Sequence, residues 1–132
     1  MKVTRTVQIA LAVALALPFL LRAAPPETRK IEVVAKKYSF EPARIEVKVG
    51  EPVEITFRSE DTKHGFVSKE LKLEKVVFSK DTPATVSFTP DKAGTYEFKC
   101  ARFCGMGHGK MKGEIVVTPL KFTVRGARSL PR

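Results

Sequence analysis

The sequence has no tryptophan, and only two of its 132 residues are cysteines and two are histidines. Two cysteines cannot build a disulfide scaffold, so the fold must depend on a hydrophobic core. Hydrophobic residues make up 43% of the chain, which is enough for such a core and argues against disorder. The length is that of one domain once a targeting segment is set aside.

Acidic residues are also few, because 14 aspartates and glutamates face 24 lysines and arginines, and the formal net charge is +10. The first 24 residues hold three basic and no acidic residues, which leaves +7 for the rest of the chain. Such a charge favours anionic partners: an acidic protein, an anionic lipid surface or a nucleic acid. We do not expect a nucleic acid, because no recognition motif accompanies the charge.

The beginning of the chain is typical of an export segment. Lys2 and Arg5 precede an apolar run of 16 residues, 6–21, which Arg22 follows. A membrane span needs roughly 20 apolar residues, so the length favours a signal peptide over residues 1–24. Arg22 and the prolines after it argue against cleavage, and a single membrane anchor through 6–21 is the alternative. In either case we expect the rest of the chain to be periplasmic, or on the extracytoplasmic face of the membrane.

From residue 30 onward the hydrophobic residues recur with period two, which indicates short strands. Glycine, proline and aspartate turns separate these runs, as in a β-sandwich whose sheets each have one solvated face. We therefore predict one all-β domain over residues 30–118, with a first strand that ends near Tyr38 and Phe40. The segment 68–79 is less regular and predicts a loop with an edge strand. The alternating runs are Ile31/Val33, Ile45/Val47/Val49, Val53/Ile55/Phe57, Val86/Phe88, Tyr96/Phe98/Cys100 and Ile115/Val117.

Residues 119–132 contain four basic and no acidic residues. Leu120, Phe122 and Val124 alternate with other residues and would fit one more strand. A solvated basic tail is the interpretation that we prefer, because chain ends are the usual place for unpacked segments.

The candidate ligands lie in one segment, Cys100-Ala-Arg-Phe-Cys104-Gly-Met-Gly-His108-Gly-Lys-Met111. Two thiolates, an imidazole and a thioether are soft donors that suit copper. The other histidine, His64, comes at the end of the third apolar strand. Because both histidines lie beside strand ends, we predict one shared metal site. Met111 has a lysine on each side in a glycine-rich loop, a poor place for a residue that only packs.

A disulfide between Cys100 and Cys104 is the main alternative to a metal site. An oxidising compartment favours disulfides, and a separation of four residues in a bent segment is compatible with one. Cys104, the two histidines and Met111 already form the donor set of a mononuclear blue-copper site. Cys100 is then a surplus donor, and together with Cys104 it can bridge a second metal ion. The residues alone therefore leave one and two coppers both open.

The pattern Cys-x3-Cys-x3-His-x2-Met, with an upstream His-Gly-Phe at 64–66, resembles the binuclear CuA domain. That domain occurs in cytochrome c oxidase subunit II and in nitrous oxide reductase. The resemblance extends from about Tyr38 to Val117 and includes Phe40-x-Pro42 and the turn 47–50. It implies a cupredoxin-like Greek-key β-sandwich that transfers single electrons, with the odd charge shared by two coppers.

The resemblance also implies a ligand set, with two departures beside it. Arg102 stands where oxidases often have a glutamate whose side chain reaches a magnesium ion, and arginine cannot act as such a ligand. The chain also lacks the tryptophan that admits electrons from cytochrome c in many oxidases, and +7 fits poorly with the family's acidic docking face. The implied ligands are bridging Cys100 and Cys104, with His64 and Met111 on one copper, and with His108 and the Arg102 backbone carbonyl on the other.

We therefore expect an electron-transfer module, either free or acting as a short subunit II of a terminal oxidase. Its expected partners are a cytochrome c or an oxidase or reductase subunit, with a copper chaperone and a thiol reductant during assembly. A mononuclear blue-copper protein and a periplasmic copper carrier are the alternatives, although five side-chain donors in a rigid sandwich favour retention of the metal. We do not expect catalysis by this chain alone, because no histidine or cysteine remains to build a second copper cluster.

Overall fold

The computed structural model describes residues 23–121, which contain nine strands and a single-turn 3-10 helix at His108–Lys110. The helix lies between the last two strands, in the segment that holds most of the candidate ligands. The strands are β1 (Arg29–Lys36), β2 (Ser39–Glu41), β3 (Arg44–Lys48), β4 (Val53–Ser59), β5 (His64–Ser68), β6 (Leu73–Phe78), β7 (Ala84–Phe88), β8 (Gly94–Lys99) and β9 (Lys112–Thr118).

The strands form two sheets, one with the order β2-β1-β4-β7 and one with the order β3-β9-β8-β5-β6. β1 pairs with β4 in parallel, β3 pairs with β9 in parallel, and the other pairs are antiparallel. The chain crosses from one sheet to the other several times, so four of the seven strand pairs join strands that are not consecutive. This architecture confirms the predicted cupredoxin-like β-sandwich.

The core is a layer of aromatic and β-branched side chains between the sheets. In β4, Val53, Ile55 and Phe57 are buried while the residues between them are more accessible, as the alternation predicts. The Phe57 ring lies 4.5 Å from that of Phe66 and 5.4 Å from that of Phe78, between ring centroids. Full burial of such a side chain contributes roughly 1.5–3 kcal/mol to stability.

The same core determines where two of the candidate ligands point. Phe66 comes two residues after His64, and Phe98 comes two residues before Cys100. Both rings are fully buried, and their centroids lie 5.4 Å apart. Because alternate residues of a strand share a face, packing of these rings turns His64 and Cys100 inward at the same end of the sandwich.

The predicted first strand is two strands, which is a correction to the sequence analysis. Val33 and Ala35 are buried in β1, whereas Phe40 is buried in β2. The inward positions change from odd to even numbers, which a single strand cannot do. The chain therefore turns at Lys37 and Tyr38, and β2 pairs back on β1.

Two other segments can be compared with their predictions. His64 is the first residue of β5 instead of lying at the end of the preceding strand, because the segment 60–63 turns the chain into the other sheet. Within 68–79, β6 is the edge strand of the five-stranded sheet, as predicted.

The predicted export segment, residues 1–24, and most of the predicted basic tail, 119–132, lie outside the described residues. Both remain predictions. Residues 119–121 are exposed and belong to no strand. Within residues 23–121, no helix is long and apolar enough to cross a membrane.

Candidate metal centre

The predicted ligands meet at one end of the sandwich because three strand ends converge there. β5 and β8 are antiparallel, and Val67 pairs with Lys99, so the continued register places His64 opposite Arg102. Cys100 directly follows β8, and its backbone N–H donates a hydrogen bond to the carbonyl of Met111, just before β9. The ligand loop, residues 100–111, is thereby closed at its base.

The two cysteines form the centre of the site. The Cys100 and Cys104 sulfurs are 3.8 Å apart, and both thiols are free. A disulfide has its sulfurs about 2.05 Å apart, so this structure shows no disulfide. Two thiolates bound tetrahedrally to one ion at about 2.3 Å would lie about 3.8 Å apart, so the observed separation suits a shared metal.

One histidine ligand approaches from β5. His64 Nδ1 lies 4.0 Å from the Cys100 sulfur, and the ring is completely buried. Ligand atoms of His64, Cys100 and Cys104 all lie within 4.8 Å of one another. Three soft or borderline donors at this spacing can hold one metal ion between them.

The other donors lie within the ligand loop. His108 Nδ1 and Met111 Sδ are each 3.7 Å from the Cys104 sulfur. The Arg102 backbone carbonyl accepts a hydrogen bond from the Cys100 thiol across 3.1 Å. All six sequence-predicted ligands therefore come together around the sulfur pair.

Most of the candidate ligand side chains are buried. His64, Cys100, Cys104 and Met111 are buried, with exposed fractions of 7% or less. His108 is partly accessible, and its ring centroid lies 5.7 Å from that of Phe103, which is 72% exposed. A buried ligand set with one accessible imidazole suits a metal that exchanges electrons without exchanging ligands.

Asp61 is a candidate functional residue that the sequence analysis missed. Its Oδ1 accepts a hydrogen bond from His64 Nε2 at 2.7 Å, and its Oδ2 accepts one from the Lys37 backbone N–H at 2.8 Å. Burial raises the pKa of this carboxyl, but hydrogen bonds from His64 and from the Thr62 and Lys37 N–H groups outweigh that effect and lower the pKa to about 2. The signal was its position three residues before a candidate ligand, since metal-binding histidines commonly donate to a carboxylate.

The Cys104 thiol is protonated at neutral pH in the metal-free protein. Burial raises its pKa to about 11, and the charge and hydrogen bond of Cys100 add to the rise. Thiolate is the form that binds metal, so metal binding must release protons here. Two thiols, two imidazoles, a thioether and a carbonyl, with no carboxylate among them, fit copper rather than a hard cation.

Comparison with known proteins identifies a matching family and several relatives. The model of the cupredoxin-like domain family matches residues 8–117. Cytochrome c oxidase subunit 2 of Thermus thermophilus is 32% identical over 92 residues, which cover 70% of this chain and 67% of that protein.

Solved structures agree with this comparison. A chain of a heme-copper terminal oxidase dimer superposes with a TM-score of 0.61 and 28% identity, covering 68% of this chain and 65% of that one. Subunit II of a cytochrome c oxidase, in a mixed disulfide with the thioredoxin-like TlpA, has a TM-score of 0.59 and 16% identity over 76% of this chain and 89% of that one, which shows the fold alone. The chain spans about two thirds of the length of the subunit 2 of Thermus thermophilus and of the terminal oxidase chain.

Proposed function

Since the chain belongs to the cupredoxin-like family and is related to cytochrome c oxidase subunit 2, we propose that it is an extracytoplasmic electron-transfer protein with a binuclear, CuA-like copper centre. The observation that carries this proposal is the buried pair of free thiols 3.8 Å apart, with donors around both sulfurs. Copper bound there would supply a one-electron couple.

The distribution of donors supports two ions instead of one. His64 Nδ1 and the Arg102 carbonyl lie beside the Cys100 sulfur, while His108 and Met111 lie beside the Cys104 sulfur. In the proposed assignment, His64 and Met111 complete one copper, and His108 and the Arg102 carbonyl complete the other. Each copper then has one terminal donor near each sulfur, so neither thiolate is surplus.

The chain's own residues have three tasks in this function. The sandwich holds His64 and Cys100 in fixed directions, so the ligands need little rearrangement when the charge of the centre changes. Burial of the thiols excludes water and competing ligands. His108 is partly accessible and lies beside the exposed Phe103, and we assign electron exchange to this edge.

The partners follow from the same chemistry. We propose an oxidase or reductase subunit or a cytochrome c as redox partner, with the chain acting free or as a short subunit II. Assembly would require reduced thiols, because Cys100 and Cys104 are close enough to oxidise to a disulfide after a small movement. A thioredoxin-like reductant and a copper donor are therefore the proposed assembly partners, and the TlpA complex of a related fold is consistent with this.

The deciding experiment is copper stoichiometry combined with electron paramagnetic resonance of the loaded, soluble domain. We expect two coppers per chain and an unpaired electron coupled to two copper nuclei. One copper with hyperfine coupling to a single nucleus would replace this proposal by a mononuclear blue-copper site. Rapid transfer of the bound copper to a weak chelator would favour a copper carrier instead.

A further inference from the structure

We propose that Tyr38 is a positioning residue that holds the ligand loop in place through Gly105 and Gly107. Because its neighbour Lys37 holds Asp61 and thereby His64, the Lys37–Tyr38 turn controls both sides of the metal centre. This inference deepens the proposed copper function and rests on it for the spectroscopic part of its test.

The contact between Tyr38 and the loop is direct. A Cβ atom placed on Gly105 would overlap the hydroxyl end of the Tyr38 ring, and one placed on Gly107 would overlap its Cγ edge. The ring therefore lies along the loop backbone from the residue after Cys104 to the residue before His108. It is 37% exposed, so it covers the loop from outside instead of filling the core.

The glycines differ in why they are needed. Gly105 has φ of +136°, which a side chain would strain in any surroundings. Gly107 has φ of −90° and ψ of 7°, which alanine can adopt. At Gly107 the three atoms nearest to such a Cβ all belong to the Tyr38 ring, whereas a Cβ on Gly109 would meet nothing within 4 Å. The loop thus offers a matched pair of glycines for a test.

The adjacent residue acts on the other side of the centre. The Lys37 backbone N–H donates to Asp61 Oδ2, and Asp61 Oδ1 accepts from His64 Nε2. The turn between β1 and β2 therefore contacts His64 through Asp61, and Cys104 and His108 through the glycines that flank them. A shift of this turn would move donors on both sulfurs together.

The first test uses the reduced, metal-free protein, so it does not depend on copper. Amide hydrogen exchange of the ligand loop should be about tenfold faster in Tyr38→Ala and nearly unchanged in Tyr38→Phe, which keeps the ring. Tyr96→Ala is the matched control, because Tyr96 is the only other tyrosine and its hydroxyl donates to the Lys92 carbonyl, before the start of β8 and away from the ligand loop. Loop exchange in Tyr38→Ala that equals the wild-type rate would overturn the proposal.

The second test is a double-mutant cycle on the copper-loaded protein. Gly107→Ala alone should speed copper loss to a chelator about tenfold and alter the visible and resonance spectra, whereas Gly109→Ala should leave both unchanged. In a Tyr38→Ala background, the further change caused by Gly107→Ala should fall to about twofold or less, because the clash is gone. An effect of Gly107→Ala of the same size in both backgrounds would show that Tyr38 does not position the loop.

The two tests separate the two proposals. A wild-type protein that binds no copper would refute the proposed function, yet the exchange measurement on the metal-free protein would still decide the role of Tyr38. A copper-binding protein whose loop exchange and spectra ignore Tyr38→Ala would keep the function and refute the positioning role.

Discussion

His64 Nε2 donates a hydrogen bond to Asp61 Oδ1 across 2.7 Å, and the imidazole is fully buried. A carboxylate can only accept, so this bond fixes the tautomer and leaves the Nδ1 lone pair free on the side of the Cys100 sulfur. Asp61 therefore orients the proposed ligand His64 through the ring nitrogen that does not face the sulfur.

The first prediction is that Asp61→Asn weakens copper binding by about 10–100-fold, the usual cost of removing a residue that orients a ligand. The amide can donate its N–H to Nε2 and so favour the tautomer that carries its proton on Nδ1. Competition with a Cu(I) chelator would measure the change. The control is Asp91→Asn, which should bind copper as the wild type does. Asp91 is exposed and precedes the start of β8, at the end of that strand away from the ligand loop. Equal affinities of Asp61→Asn and the wild type would contradict the orienting role.

The same carboxylate predicts a pH dependence in the reduced, metal-free protein. Its pKa is about 2 in the folded protein, whereas the pKa of an unfolded aspartate is about 3.9. The folded state thus binds its proton less readily, so Asp61 contributes stability that is present above about pH 4 and is lost as the pH falls toward about 2. Urea unfolding of wild type and Asp61→Asn across this range should show a difference that shrinks with acidification. A stability difference between the wild type and Asp61→Asn that stays constant with pH would contradict the lowered pKa of Asp61.

Much of this site could be read from the sequence because its ligands form a spaced motif in one loop. The strand alternation also located Phe98 correctly as a core residue, and with it the inward direction of Cys100. The positioning residues were harder to find. Asp61 is close to His64 in sequence, but the Lys37 N–H that also binds its carboxylate belongs to the turn between β1 and β2. Tyr38, in the same turn, contacts a ligand loop that is distant in sequence.

That turn was misread for a physical reason. The segment from Val33 to Phe40 contains no glycine or proline, so the strongest turn residues are missing. The change from odd to even inward positions was the available signal. Residue spacing also could not predict how deeply each ligand is buried, because burial depends on how the loop folds back over the sheet end.

Two variants, Met111→Leu and Cys100→Ser, test the roles of two buried candidate ligands. Met111→Leu conserves volume, so it should fold, keep two coppers and mainly shift the reduction potential. Cys100→Ser removes a bridging thiolate, so it should yield a centre with coupling to one copper nucleus, or none. Resonance spectra and copper analysis of both proteins would show this. Equal copper loss in the two variants would contradict the assigned roles.

The thiol pair predicts a redox requirement during assembly. Its sulfurs lie 3.8 Å apart, and both cysteines belong to the ligand loop. In air, the metal-free protein should lose two hydrogens and form a disulfide, which blocks copper until a thiol reductant is added. Intact mass and alkylation would follow the reaction, with Cys104→Ser as the control that cannot close the ring. Two thiols that stay free in air would show that no such competitor exists.

The last prediction concerns the redox partner and begins from the surface around His108. Phe103 and Met106 are 72% and 96% exposed, and the loop 100–111 contains Arg102 and Lys110 but no acidic residue. The accessible edge of the site is therefore apolar with a positive rim, and an acidic partner should dock there.

Electrostatic complementarity acts mainly on the rate of encounter, and salt screens it over about 8 Å at physiological ionic strength. Electron transfer from an acidic cytochrome c should thus slow as salt is added, while a basic cytochrome c should be slow at low salt and unchanged or faster at high salt. Lys110→Glu should reduce the salt dependence with the acidic donor, whereas Lys92→Glu, beyond the other end of β8, should not. A basic cytochrome that reacts fastest at low salt would place docking among the acidic residues elsewhere, because only an attractive field speeds encounter when screening is removed.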